Sequence, residues 1–334
     1  MVLVTGGTGL VGSHLLLELV RTGTKVRAIY RTENKLTEVK KVFSYYTNDP
    51  YLLFNEIEWV KADILDIPAL ETAFIGIEYV YHAAALISFD PNDFDTLRKV
   101  NVEGTANLVN LCTANKVKKL CYVSTIGTIG RSLPNKEATE DNEWSIQNKN
   151  VYALTKHEAE MEVWRGSQEN LDIVIVNPGV IIGPGFWETG SGKFFKAAHK
   201  ERNYYPPGGT GFITVSDVVK IMTRLLKSDI KSERFILVSD NITFKEILTK
   251  IALAMGKKAP TRKLKIWQLK ILRYLDMVAH LLTGNKRRIT RSTIYSLEHR
   301  EVYSSGKIKA TLDFEFEALD ETIKLSANHF ISDH

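Results

Sequence analysis

The 334-residue sequence predicts an α/β fold, a doubly wound parallel sheet joined to a smaller, mostly helical C-terminal lobe. Three observations carry this. The chain opens on a short apolar run that ends in closely spaced glycines and passes at once into an amphipathic stretch, which reads as strand, turn, helix. Short β-rich runs then alternate with helical patterns. Those runs lack clean apolar/polar alternation, as strands buried on both faces do.

The first strand is expected at 1–5, followed by Gly6, Gly7, Gly9 and Gly12 and a helix near 10–22. A backbone without Cβ atoms approaches a pyrophosphate closely, and the next helix aims free N–H groups and its positive dipole end at the anion. Gly7, Gly9 and Gly12 fit G-x-G-x-x-G, and Gly6, Gly9 and Gly12 fit the form shifted by one. The strand before and the helix after give the pattern its weight as a dinucleotide-binding turn.

The second strand, at 25–30, comes about 20 residues after the glycines, where such folds place a ribose-reading residue. Arg31 ends it, with Lys35, Lys40 and Lys41 beyond. A planar guanidinium suits a 2′-phosphate, so NADP(H) is favoured, with NAD(H) possible. The alternative is that Arg31 is a solvated charge and Glu33 reads the ribose.

Further strands are expected at 57–60, 79–83, 119–124, 172–177 and 234–238, with helices near 67–75, 92–115 and 150–169. After Asn177, prolines and glycines (Pro178, Gly179, Gly183, Pro184 and Gly185, then Pro206 to Gly209 and Gly211) punctuate loops that leave the sheet. Helical patterns near 243–255, 263–282 and 317–330 complete the chain. The expected division is a Rossmann domain over 1–177, with a returning strand near 213–240, and a substrate lobe built from 178–212 and 241–334. The 263–282 stretch is amphipathic with basic flanks; a lobe helix with a solvated basic face is expected, a membrane or partner surface being the alternative.

Composition excludes other classes. A hydrophobic content of 44% and a charged content of 25% describe an ordinary globule. The net charge of +5 is spread out, densest at Lys116, Lys118 and Lys119 and over 284–291, without the basic stripe and interleaved aromatics of a nucleic-acid binder. Cys112 and Cys121 have no C-x-x-C or His partner and read as buried thiols, so no metal site is expected. No apolar run reaches ~18 residues and no signal peptide precedes the first strand, so a cytoplasmic location and no transmembrane segment are expected.

The chemistry is expected where the fifth strand ends. Ser124 and Thr125 put two hydroxyls at the carboxyl edge of the sheet, where α/β folds bind ligands. Tyr152 and Lys156 lie four apart on one helical face. A nearby cation stabilises a phenolate, and such a phenol can give a proton to a carbonyl or take one from an alcohol. Tyr303 and Lys307 share that spacing, but Ser304-Ser305-Gly306 between them breaks a helix, so Tyr303 is set aside.

Taken together, Thr5 to Gly12, Asp63 to Asp66, His82 to Ala85, Asn101 to Thr105, Ser124-Thr125, Tyr152-x-x-x-Lys156 and Asn177 to Pro184 resemble the extended short-chain dehydrogenase/reductase family. The likeness covers nearly the whole chain and is closest to the dihydroflavonol-4-reductase-like branch, carried by Val26 to Arg31 and by Asn177 to Pro184. The resemblance implies Tyr152 as acid–base, Lys156 as its activator and ribose ligand, and a catalytic hydroxyl on Thr125, or on Ser124 if the register slips by one. It implies cofactor contacts from Gly6, Thr8, Gly9, Leu10 and Val11, from Asp63 and Ile64 at the adenine, from Ala83, Ala84 and Ala85, and from Pro178, Gly179 and Val180 at the nicotinamide. Asn101 is expected beside the site as a backbone bridge. A homodimer is the family's habit.

Relatives that take nucleotide-diphosphate sugars carry a basic residue by the segment matching 208–217. Gly208 to Ile213 offers none, which points to an uncharged substrate. Aromatic residues (Phe89, Phe186, Trp187, Phe194, Phe195, Tyr204 and Tyr205), with Leu86 and Ile87, are candidates for its lining, or for the lobe's own core. The expected activity is NADP(H)-dependent interconversion of a carbonyl and a secondary alcohol on a small, apolar molecule. The alternatives are a nucleotide-sugar epimerase or dehydratase with tightly bound NAD, and a non-catalytic dinucleotide sensor.

Overall fold

The computed structural model describes residues 1–132, 136–283, 287 and 289–334. Six strands come first: β1 (Val2–Thr5), β2 (Val26–Tyr30), β3 (Ile57–Lys61), β4 (Tyr79–His82), β5 (Lys119–Val123) and β6 (Asp172–Pro178). Then come β7 (Val180–Ile182), β8 (Tyr204–Tyr205), β9 (Gly209–Thr214), β10 (Glu233–Leu237), β11 (Asp240–Thr243) and β12 (Arg262–Lys263). The helices before β6 are α1 (Leu10–Arg21), α2 (Asn34–Ser44), α3 (Pro50–Asn55), α4 (Ile67–Phe74), α5 (Phe94–Leu97), α6 (Gly104–Ala114) and α7 (Val151–Gln168). Those after it are α8 (Gly192–His199), α9 (Val215–Lys227), α10 (Phe244–Ala254), α11 (Ile266–Thr283), α12 (Arg291–Glu298), α13 (Gly306–Leu312) and α14 (Leu319–Asp333).

The main sheet is seven-stranded in the order β10-β6-β5-β4-β1-β2-β3, and every pairing in it is parallel. The order reverses between β1 and β4, so a crevice opens at the carboxyl ends of those two strands, where ligands bind in open α/β sheets. One face carries α1 and α9, packed through Leu15, Leu16, Val218 and Met222. The other carries α4, α6 and α7, packed through Leu70, Leu108 and Val163. Each layer removes large aliphatic side chains from water, the main favourable term in folding.

The lobe has its own core around Phe195, Phe212, Phe244, Ile247 and Phe330, and a three-stranded sheet in the order β11-β9-β7. Trp187 and Phe195 belong to that core and line no surface, because Phe330 packs against both rings. Both cysteines are free and buried, and burial raises the Cys121 thiol to about 12.

Of three expectations, two are refined by the structure and one gives way. The helix expected over 92–115 winds without interruption but not regularly: α5 passes into a π turn (Arg98–Glu103) before α6 begins. The strand expected to return near 213–240 is β10, which joins the main sheet parallel to β6, and α9 fills the stretch before it. In α11 only Leu269 is buried, and the face turned to solvent is apolar rather than basic. Of the basic 284–291 segment, residues 284–286 and 288 lie outside the described residues.

Candidate active site

Two different constraints act on the glycines after β1. Gly6 has φ +72°, and a Cβ there would lie 2.5 Å from the Ala83 carbonyl carbon and the Ala84 nitrogen. A Cβ on Gly12 would lie 2.1 Å from the Gly6 oxygen. Both are therefore glycine because the protein's own backbone fills the space. Gly9 is otherwise. It is the N-cap of α1, no side chain caps the helix, and a Cβ would meet nothing closer than the Gly6 oxygen at 3.5 Å. The free N–H groups of the first turn, at Leu10 and Val11, thus face space that the protein leaves open, which suits a pyrophosphate. Thr8 lies in the same turn.

The turn is fastened to the end of β4. Ala83 N–H donates to the Thr5 carbonyl (3.2 Å), and the Thr5 hydroxyl shares a 2.6 Å hydrogen bond with His82 Nδ1. His82 Nε2 meets the Thr105 hydroxyl on α6 at 2.9 Å. Burial, aided by the nearby Lys156 cation, lowers His82 to about 3, so it is a neutral, fully partnered core histidine. Ala83, Ala84 and Ala85 thereby stand beside Gly6. At the neighbouring strand ends Arg31 pairs with Asp63 at 3.6 Å, both partly exposed. Ile64 is buried against Gly104, where a Cβ would come within 2.5 Å of its Cδ1.

The hydroxyl pair follows β5. Ser124 N–H donates to the Val176 carbonyl of β6 (2.7 Å), while the Ser124 hydroxyl is buried without a hydrogen-bond partner. An orphaned buried hydroxyl costs on the order of 1–3 kcal/mol, an outlay that a bound polar group would relieve. Thr125 accepts from Gly127 N–H (3.2 Å), which leaves its own proton free to donate. Lys149 donates to the carbonyls of Gly127 and Ile129, 2.8 Å each, and pins the loop.

That loop abuts the first turn of α7, since a Cβ on Gly127 would sit 3.3 Å from the Ala153 Cβ. Asn150 caps the helix by accepting from Ala153 N–H (2.8 Å), and Tyr152 lies between the two. Phe89 stands edge-on to the Tyr152 ring at 6.0 Å. Burial pushes the Tyr152 phenol up to about 12. Lys156 donates to the Tyr122 hydroxyl (2.5 Å) and the Val123 carbonyl (2.8 Å). Burial, opposed by Glu160, lowers it to about 7. The ammonium is spent on β5, and burial outweighs the lowering of the phenol expected from Lys156.

Asn101, in the π turn, is consumed as a bridge. Its Oδ1 accepts from Leu86 N–H (2.7 Å), and its amide donates to the Leu86 carbonyl (3.0 Å) and to Thr155 on α7 (3.2 Å). Pro178 ends β6, Gly179 N–H donates to the Leu237 carbonyl (3.0 Å), and Val180 pairs with Phe212.

Two buried polar groups escape any motif. Tyr122 receives Lys156, as above. Glu160, one turn beyond Lys156, accepts from Thr128 and from the Asn177 amide at 2.6 Å each, with Arg234 3.8 Å away. This carboxylate ties the β5 loop, β6 and α7 together beneath the hydroxyl pair. Tyr303, by contrast, is packed with Ile126, Ile129, Ala138 and Val238, and Lys307 pairs with Glu233 at 2.5 Å. Tyr303→Phe is expected to leave turnover within about twofold of wild type, measured as kcat/KM, since the loss of one oxygen from a packed core ring acts on stability rather than rate.

Residues 2–237 match the model of the NAD dependent epimerase/dehydratase family. Sterol demethylase protein B of Methylococcus capsulatus is 27% identical over 267 residues, which span 77% of this chain and 75% of that protein. Tetraketide alpha-pyrone reductase 2 of Arabidopsis thaliana is 28% identical over 261 residues, 74% of this chain and 80% of that protein. The crystal structure of gox2253 superposes with a TM-score of 0.81 at 26% identity, covering 100% of this chain and 98% of that one.

Proposed function

The chain belongs to the NAD-dependent epimerase/dehydratase family, the extended short-chain dehydrogenases/reductases, and within it we propose an NADP(H)-dependent reductase that interconverts a carbonyl and a secondary alcohol on a small, apolar molecule. The observation that carries the reading is the meeting of the Thr125–Gly127 loop with the first turn of α7, beside the unpartnered Ser124 hydroxyl. The dinucleotide, when bound, supplies or accepts the hydride. Gly9, Leu10 and Val11 would hold its phosphates, Ala83 to Ala85 its ribose side, Asp63 and Ile64 its adenine, and Pro178 to Val180 its nicotinamide end.

The chain's own residues handle the proton. Tyr152, protonated at neutral pH, donates from its hydroxyl to the carbonyl oxygen. Thr125 donates a hydrogen bond to the same oxygen and holds it in place. Lys156 lies one turn along α7, and its cation favours the phenolate that Tyr152 leaves behind. Phe89, half exposed itself, covers one edge of the Tyr152 ring.

Arg31 supports a 2′-phosphate site, since its guanidinium is largely exposed at the edge of the sheet and its pairing with Asp63, at 3.6 Å, is loose. Arg31→Glu is expected to weaken NADPH at least about tenfold, with NADH changed less than about threefold, because a carboxylate repels the 2′-phosphate. Titration of both dinucleotides checks it, and an unchanged ratio removes Arg31 from the site.

The test of the activity is a screen of carbonyl compounds, sugar nucleotides included, followed by NADPH absorbance. Net NADPH consumption on an apolar ketone or aldehyde supports the proposal. Conversion of a sugar nucleotide with no net change in dinucleotide would replace it with epimerisation.

A further inference from the structure

Helix α11 is built inside out. Trp267, Ile271, Tyr274, Leu275, Val278, Leu281 and Leu282 fall within an arc of roughly 120° at 100° per residue. All seven are exposed, from 48% at Val278 to 80% at Leu282. The opposite side holds Leu269, which is buried, and the half-buried Arg273, Asp276 and His280. Asp276 accepts from Ile289 N–H (3.1 Å), and His280 meets Asn92 (3.4 Å), so polar contacts fasten the helix and leave its apolar face outward. Monomeric globules rarely display a contiguous apolar stripe of this kind without a partner for it.

Charge identifies the partner. Over 257–283 the sequence carries seven Lys and Arg against Asp276 alone, a net of +6, whereas the whole chain is only +5. The rest of the molecule is therefore slightly acidic, and the excess is gathered around this helix. Arg262, Lys263, Lys265 and Lys270 are all exposed, so their charges reach solvent beside the apolar arc. A second copy of this chain would bring +6 against +6. An anionic bilayer would take the apolar arc into its headgroup boundary and the ammonium groups onto its phosphates, with Trp267 and Tyr274 at the depth amphipathic rings favour.

We propose that α11 and its basic N-terminal flank dock this protein on the surface of a membrane carrying anionic lipid. The helix lies in the plane of the interface. No helix among the described residues is long and apolar enough to cross a membrane, so this is adsorption rather than insertion. The proposal does not depend on the reaction assigned above. It does bear on access: His280, on the inward side of α11, touches Asn92, three residues from the Phe89 ring that flanks Tyr152, so the docked helix packs beside the segment that borders the site.

Co-sedimentation of the full chain with vesicles tests this. Binding to phosphatidylcholine vesicles containing about 30% phosphatidylserine is expected to exceed binding to phosphatidylcholine alone at least about tenfold, and to fall steeply in about 0.5 M salt. Lys263→Glu/Lys265→Glu/Lys270→Glu is expected to lower binding at least about 100-fold, at a factor of about five for each charge removed and more for each reversed. Ile271→Glu/Leu275→Glu, at exposed positions that the fold does not use, is expected to abolish it while leaving the thermal melt unchanged. Brominated lipid should quench the Trp267 fluorescence, and Trp267→Phe should remove that quenching. Wild-type protein that stays in the supernatant, or that binds both vesicle types equally, overturns the proposal. So does a dimer by sedimentation velocity that Ile271→Glu/Leu275→Glu dissolves, which would assign the face to a second copy.

Discussion

Tyr152→Phe is expected to lose about 10²–10⁴-fold in kcat, the usual worth of a positioned proton donor. The substitution removes one oxygen and keeps the ring against Phe89, so the fold and the dinucleotide affinity should survive, the latter to within about threefold. Stopped-flow turnover beside a binding titration separates the two. A variant within tenfold of wild type would take the proton away from this residue. The pH profile carries the same information with a sign. A phenol raised to about 12 in the free protein is protonated at neutral pH, as reduction requires. Alcohol oxidation needs the phenolate, so its kcat/KM should climb with pH, while that for carbonyl reduction should not.

The second large effect comes from glycines that look alike in sequence and differ in space. Gly12→Ala drives a Cβ to 2.1 Å from the Gly6 oxygen and 2.7 Å from the Gly7 Cα. Both neighbours are backbone, so the turn must move, at a cost of roughly 3 kcal/mol or more. Gly9→Ala meets nothing inside the protein, and its φ of −109° suits alanine. That variant should melt within a few degrees of wild type, losing only the modest N-cap preference of about 0.5–1 kcal/mol. Its dinucleotide Kd should nevertheless rise roughly 10- to 100-fold, about 1.4–2.7 kcal/mol, because the new methyl stands where the phosphates approach. Calorimetry for the melt and titration for the Kd decide it, and wild-type affinity in Gly9→Ala would place the pyrophosphate elsewhere.

The main sheet was legible because its strands are buried on both faces and must be apolar throughout, as Val2 to Val4 and Ile173 to Val176 are. Elements that answer to tertiary context were not. Helix α9 begins with Thr214 accepting from Asp217 N–H, a start signal present in the sequence. Val215, Val218, Val219 and Ile221 mask it, since β-branched residues carry a weaker intrinsic helix preference. Of the site, the glycine turn, the hydroxyl pair and Tyr152 with Lys156 could be found from order along the chain. Tyr122 and Glu160 could not: each is defined by partners 34 and 32 residues away that only folding supplies. Helix α11 shows the same limit. Its periodicity reveals two faces, but periodicity does not say which one the protein covers.

The π turn at Arg98–Glu103 fixes the phase of everything after it. Such a turn holds one residue more than regular winding, so shortening the chain there by a single position would yield a smoother, better-bonded rod. It would also spin α6 by about 100°. Gly104 would swing off Ile64, and Thr105 would abandon His82, unlatching the link that runs through Thr5 to the glycine turn. The irregular winding therefore sets the angular alignment between the Ile64 side of the crevice and the glycine turn, and a tidier helix would disassemble both.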